Sequence, residues 1–420
     1  MIIKNAKLYD PANGIEGEQS DIYISGDAVS DKENFAATGD DGEIVDATGL
    51  IAMPGALDIH SHLTAADEAS RRFGFPPENF GSRAVAELYL SMGFTTIVEP
   101  GLRSGASFGN APVRHLALQL ARGSDDGLAP GFLTFKYVGS DGCEAFLSSD
   151  TVAHIPPPHI HLPDLGKGGS IQTLEKFLKR LGGRRCHLSH LAYYIFDSVK
   201  GKPVPRAKLA AEMISQYENV TFDLGPVSFG ETFSLTADEE LSRRIARTAK
   251  REIGRSDDFP YSTIKYNFRN DCYYDSIYWL AGMEFLLELK DISKASLSID
   301  YPSGGHPSAY PFIIASLMER EKRERFASTL DGEALKNSTL MEVEKEFSIH
   351  EIASITRSSP ARALLPEEAG SMNAAVIKRI GNLSAGSFAD VALYSPSDDI
   401  QKMFAHPAVV VKGGSVANKV

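Results

Sequence analysis

The chain has 420 residues, 43% hydrophobic and 23% charged, a composition that builds a large folded core and excludes a chain dominated by disorder. Its formal net charge of −12 excludes a general affinity for nucleic acid or anionic membrane, because both depend on concentrated Lys and Arg. No apolar run approaches the ~18 residues of a membrane span, and the start MIIKNAKLYD lacks the apolar core and cleavage site of an export signal. Cys143, Cys186 and Cys272 stand apart, without CxxC pairs or disulfide-rich spacing, so a reducing cytoplasm is the expected compartment.

In chain order, residues 1–52 read as short strands broken by turns: MIIKNAKLYD, PANG, SDIYIS, a polar Gly- and Asp-rich loop, then EIVDATGLIAM. From 53 to 379, apolar strand-like runs alternate with helical stretches such as SRAVAELYLSMGF, IQTLEKFLKRLGG, AKLAAEMISQYEN and DSIYWLAGMEFLLELKD. That rhythm predicts repeated βα units, and a (β/α)8 barrel commonly takes ~250 residues as one domain. Residues 380–420 return to short β runs, DVALYS and AVVVKGG. The expected class is therefore α/β: a TIM-like barrel over 53–379, with a small β-sandwich domain built from 1–52 and 380–420.

Side chains alternate faces along a strand, and one face of a barrel strand meets the interior. In ALDIHSHLT, Asp58, His60 and His62 share a face opposite Leu57, Ile59 and Leu63. A lone HxH pair is a weak signal, but this one sits at the junction from β module to barrel. Glu99, in FTTIVEPG, either enters the barrel or closes a turn before Pro100. GFLTFKYVG aims Lys136 with Phe132, Thr134 and Val138. As an ammonium ion that lysine cannot bind a metal, whereas carboxylation by CO2 would make it a bridging ligand; on this strand alone, a solvent-directed or ion-paired lysine is the simpler reading.

HIHLPDLG places His159 and His161 on one face, and RRCHLSHLAYY places Cys186, Leu188 and His190 together with His187 opposed. Buried histidines are usually structural, but six of the eleven in this chain fall in three strand-like runs, and that clustering favours ligands. STIKYNFRND carries Lys265 and Arg269, which read as a solvated face beside a helix start. KASLSIDYPSGG puts Ser296, Ser298 and Asp300 on one face, near the C-terminal end of a late strand, where barrel enzymes keep their chemistry. Asp300 is either a turn former ahead of Pro302 or the carboxylate that accepts a proton from an activated water.

With these residues the chain resembles the amidohydrolase superfamily, and within it the amidohydrolase-type subunit of formylmethanofuran dehydrogenase and of bacterial formyltransferase/hydrolase complexes. The matching stretches are DIHSH, FKYVGSDG, PHIHLPDLG, CHLSHLAYY, NVTFDLGPVSFGETFSLTADE, WLAGMEFLLELKDISKASLSIDYPSGGHPSAYPFIIASLM and FSIHEIASITRSSPARALL, in the family's order over most of the chain. The resemblance implies two divalent metal ions, expected to be zinc. His60 and His62 would hold one, His161 and His190 the other, and carboxylated Lys136 would bridge them, with Asp300 as ligand and proton shuttle. Preferring His161 to His159, and His190 to His187, rests on this resemblance.

It also implies a small-molecule N-formyl amine or amide as substrate, hydrolysed to formate and amine or formed in the reverse condensation, and partner subunits of a formylmethanofuran dehydrogenase-like complex. The chain departs from the family in being shorter, chiefly between His62 and Phe94. Tyr301, Ser303 and His306 also stand where the family reads His, Asn and Pro. Two further readings stay open: a cyclic amide hydrolase of the hydantoinase or dihydroorotase type, and a non-catalytic scaffold subunit.

Overall fold

The computed structural model describes residues 1–37, 42–102, 112–121, 128–129, 131–149, 155–225, 231–236, 239–249, 252–256, 259–367 and 372–419. Parts of the NVTFDLGPVSFGETFSLTADE stretch, residues 226–230 and 237–238, lie outside them. Among the described residues, eight strands pair in parallel: β1 (Ala56–Asp58), β2 (Phe94–Leu102), β3 (Arg114–Leu120), β4 (Phe135–Val138), β5 (His159–His161), β6 (Cys186–Leu188), β7 (Val220–Asp223) and β8 (Ala295–Ser296). They follow one another in chain order, and a parallel bridge between Ser61 and Tyr301 joins the run beyond β1 to the run beyond β8. The His62 amide donates to the Tyr301 carbonyl at 2.7 Å across the same seam. The sheet is thus a nearly closed α/β barrel, as the alternating pattern leads one to expect.

Alternation along the strands divides inside from outside. Leu57, Ile59, Phe135, Tyr137, Ile160, Cys186, Leu188, Phe222, Leu297 and Ile299 are buried in apolar clusters outside the barrel's polar interior. The helix Ser170–Leu181 shows the complementary logic. It buries Ile171, Leu174, Phe177, Leu178 and Leu181 at helical spacing, leaving Lys179 to pair with Glu175 on the solvent side. Facing inward, Lys136, His159, His187 and Thr221 lie in register across β4 to β7.

Strands from the two ends of the chain share a second, eight-stranded sheet. Its order runs Ser415–Lys419, Val409–Lys412, Val391–Tyr394, Ile51–Pro54, Ile2–Asp10, Ile15–Ser25 and Ala28–Ser30, with Ile44–Asp46 added beside Ile2–Asp10. Ile3, Leu8, Ile22, Ile24, Ala52, Val391, Leu393, Val409 and Val411 form its apolar core. Between β7 and β8 the chain makes a small antiparallel sheet, Glu231–Thr236, Phe259–Asn267 and Gly254–Ser256, with the helix Glu239–Ala249. Among the described residues no helix is long and apolar enough to cross a membrane.

Candidate metal centre

The strands stop short of the residues that matter. β1 ends at Asp58, so His60 and His62 sit on the extended run that the Ser61 bridge holds against Tyr301. β8 ends at Ser296, and Asp300 turns inward with a left-handed backbone, φ 49°. His190 also lies beyond its strand, at φ 59°. This corrects the simple alternation expected along β6: Cys186 and Leu188 face the apolar core, His187 faces inward, and His190 reaches the site because the chain leaves the strand with a left-handed turn. Gly225, itself at φ 78°, makes room for that turn, since a Cβ there would lie 2.5 Å from the His190 Cα.

The six side chains singled out by the sequence meet at one end of the barrel. His60 Nε2 and His62 Nε2 lie 3.5 and 3.4 Å from Asp300 Oδ1, and His190 Nε2 lies 3.7 Å from Asp300 Oδ2. The Lys136 ammonium nitrogen is 2.8 Å from His60 Nε2. The His161 ring is centred 5.1 Å from that of His190, with its Nδ1 at 3.5 Å from the Tyr194 hydroxyl. His60, His190 and Asp300 each offer a ligand atom within 4.8 Å of one another. Asp300 Oδ1, buried and without a hydrogen bond among the described residues, is an orphaned acceptor of the kind a cation would satisfy. The donor set therefore fits a divalent metal centre.

Electrostatics point the same way. Burial first, then the nearby Lys136 and His190, hold His60, His62 and His161 well below the ordinary histidine range, so these imidazoles are neutral near pH 7, the form that can offer a lone pair to a metal. Burial pushes Lys136 down to about 8 against the pull of Asp300 and Asp223, which raises the fraction of free amine that can take up CO2. Burial pushes Asp300 up to about 7, opposed by His190 and Lys136. His159 lies deeper: it is fully buried, its ring is centred 4.3 Å from that of His187 in a tilted pair, and neither of its ring nitrogens has a hydrogen-bond partner among the described residues.

Above the cluster opens a cavity of about 650 Å3, floored by His62, Lys136, His161, His190 and Asp300. Its outer wall comes from the β7–β8 insertion, with Arg244 beside Tyr193 and Tyr278. Lys265 and Arg269 are both exposed, as a solvated face leaves them, and Arg269 also reaches the cavity's lining. Glu99 is fully buried and accepts from the Thr64 amide and hydroxyl and from His115, anchoring the helix that follows His62.

Two further carboxylates support the site: Asp223, which the sequence reading did not name, and Asp58, which it placed on the His60 face without a role. Asp223 ends β7, fully buried, with Oδ2 at 3.0 Å from His60 Nδ1 and Oδ1 accepting the His190 amide at 2.9 Å. Burial raises its pKa, but the electrostatic pull of His60 and the His187, His190 and His60 groups turned toward it outweigh this and hold it well below the usual carboxylate range. Asp58 accepts from the Tyr89 and Tyr310 hydroxyls and the His60 amide. A carboxylate at the C-terminal end of the apolar run VTFD was the available signal for Asp223.

No protein-family model matches the chain. It is 27% identical to the FhcA component of the formyltransferase/hydrolase complex Fhc of Methylorubrum extorquens, over 98% of this chain and 87% of that one. It is 24% identical to protein FwdA of Methanocaldococcus jannaschii, over 100% of this chain and 88% of its relative. Among solved structures, the formyltransferase/hydrolase complex FhcABCD from Methylorubrum extorquens, in complex with methylofuran, superimposes with a TM-score of 0.85 at 23% identity, covering 100% of this chain and 88% of that one. The chain is thus similar to FhcA and FwdA along its whole length, and its fold is that of an α/β barrel.

Proposed function

We propose that this protein is the metal-dependent amidohydrolase component of a formylmethanofuran dehydrogenase-like assembly, acting on an N-formyl amine and either releasing formate and amine or condensing them. What carries the reading is the convergence of His60, His62, His161, His190, Lys136 and Asp300 beneath one cavity, in a chain related along its length to FhcA and FwdA. In this reading His60 and His62 would hold one zinc ion and His161 and His190 a second, with carboxylated Lys136 and Asp300 as further ligands. The bound metals supply Lewis-acid polarisation of the formyl carbonyl and activation of water near pH 7.

The chain's own residues do the rest. Asp300 takes the proton from the attacking water and delivers it to the departing amine nitrogen. The products are formate and the protonated amine, and the reverse path removes the same water. The cavity's residues, Tyr193, Tyr278 and Arg244 among them, hold the amine portion.

Elemental analysis of protein purified without chelator, with bicarbonate present, is expected to give close to two zinc ions per chain, and N-formyl amines are expected to yield formate. Lys136→Ala should lose most of both. Metal-free wild-type protein that also releases no formate would overturn the reading in favour of a scaffold role.

A further inference from the structure

Asp223 serves three histidines from the centre of the barrel floor. Its Oδ1 accepts the His190 backbone amide at 2.9 Å and lies 3.5 Å from His190 Nδ1; its Oδ2 lies 3.0 Å from His60 Nδ1 and 3.3 Å from His187 Nε2. A carboxylate has only acceptors, so the His60 nitrogen that faces it must carry the hydrogen. Lys136 gives an independent indication from the other side of the ring. Its Nζ lies 2.8 Å from His60 Nε2, and an ammonium group has only donors, so Nε2 must present a lone pair. Both neighbours select the same tautomer.

We propose that Asp223 is the positioning residue that keeps the His60 proton on Nδ1, leaving Nε2 free to coordinate, and that it couples this choice to the turn carrying His190. The proposal rests on the metal-centre reading for its purpose, though its geometry stands without a metal. The backbone amide of His190 is what makes Asp223 hard to replace. It is a fixed donor, so an asparagine here must turn its carbonyl oxygen toward that amide. The asparagine NH2 then faces His60 Nδ1, which becomes an acceptor, and the ring hydrogen moves to Nε2. The isosteric variant therefore places a hydrogen where the metal lone pair belongs, whereas alanine merely leaves the ring free to choose.

The consequence is an inverted order among variants. Metal affinity should fall from wild type to Asp223→Ala to Asp223→Asn, with the asparagine variant losing on the order of 10- to 100-fold or more in zinc competition with a chelator. Melting temperature of the metal-free chains should fall in the other order, wild type to Asp223→Asn to Asp223→Ala, because alanine leaves a void and unpaired buried donors. A merely structural role would make affinity follow melting temperature.

The direct test is the nitrogen spectrum of the metal-free, 15N-histidine-labelled full chain, with the His60 signals assigned by their loss in His60→Gln. A wild-type His60 protonated on Nδ1 that shifts to Nε2 in Asp223→Asn supports the proposal. The same tautomer in both proteins, or zinc affinity unchanged in Asp223→Asn, overturns it. A wild-type chain showing the tautomer and its switch, yet taking up no zinc, would uphold the proposal and count against the metal-centre reading instead.

Discussion

The tightest constraints are on single backbone positions. His190 and Asp300 both adopt left-handed φ values, 59° and 49°, that non-glycine residues reach only under local compulsion. For His190 the compulsion includes Gly225, whose missing Cβ lets the two turns touch. Gly225→Ala is expected to displace His190 and lower zinc affinity by about tenfold or more while the far-ultraviolet circular dichroism spectrum stays unchanged; unaltered zinc affinity would show that the turn tolerates a methyl group. The cysteines make a complementary case. Burial pushes the Cys143 thiol up to about 12 and raises that of Cys186 further, so neither forms appreciable thiolate at pH 8. Folded protein should react slowly with a disulfide reagent at both positions, and denaturant should release them.

Among the elements, the β7–β8 insertion decides the shape of the cavity. It is pinned by Phe233, which stacks on Phe75 at 4.1 Å and meets Phe80 edge-on at 5.5 Å. It is also tied to the loop that carries Asp300: the Thr232 hydroxyl donates to the Pro302 carbonyl, and Ser303 Oγ both accepts from the Leu235 amide and donates to its carbonyl. The three departures from the family pattern around Asp300 share this neighbourhood. Tyr301 donates to the Phe80 carbonyl at 2.6 Å, His306 Nε2 lies 3.0 Å from the Asn79 carbonyl, and Ser303 holds Leu235. Phe233→Ala should therefore speed amide hydrogen exchange across Phe259–Asn267 and raise KM more than it lowers kcat, leaving exchange in the terminal sheet unchanged.

At the scale of the molecule, the terminal sheet and the barrel are joined through a buried guanidinium. Arg357, 1% exposed, donates to the Pro54 carbonyl at 3.1 Å and to the Tyr394 hydroxyl at 2.8 Å, and Tyr394 in turn reaches the Met92 carbonyl. Arg357→Ala leaves those acceptors unpaired and opens a cavity, a loss of about 3 kcal/mol or more in urea unfolding. A change under about 0.5 kcal/mol would mean that water replaces the guanidinium.

What the sequence determined by itself was whatever depends on short-range periodicity. The helices at Ser82–Ser91, Ser170–Leu181, Ala207–Ser215 and Tyr273–Glu288 overlap the stretches of helical pattern, and alternation alone puts His159 and His161 on one face of β5, whereas the burial of Lys136, read from its strand as solvent-directed or ion-paired, came from the fold. The tertiary structure decided the rest. His190 and Asp300 lie past the ends of their strands, where alternation no longer fixes direction and a left-handed turn does. Asp223 was invisible for a different reason: its partners His60 and His190 are 163 and 33 residues away in the chain, and only barrel closure brings one carboxylate to both. Local sequence sets which face a residue takes, whereas a site drawn from six of the eight strands exists only once the strands are joined in a ring.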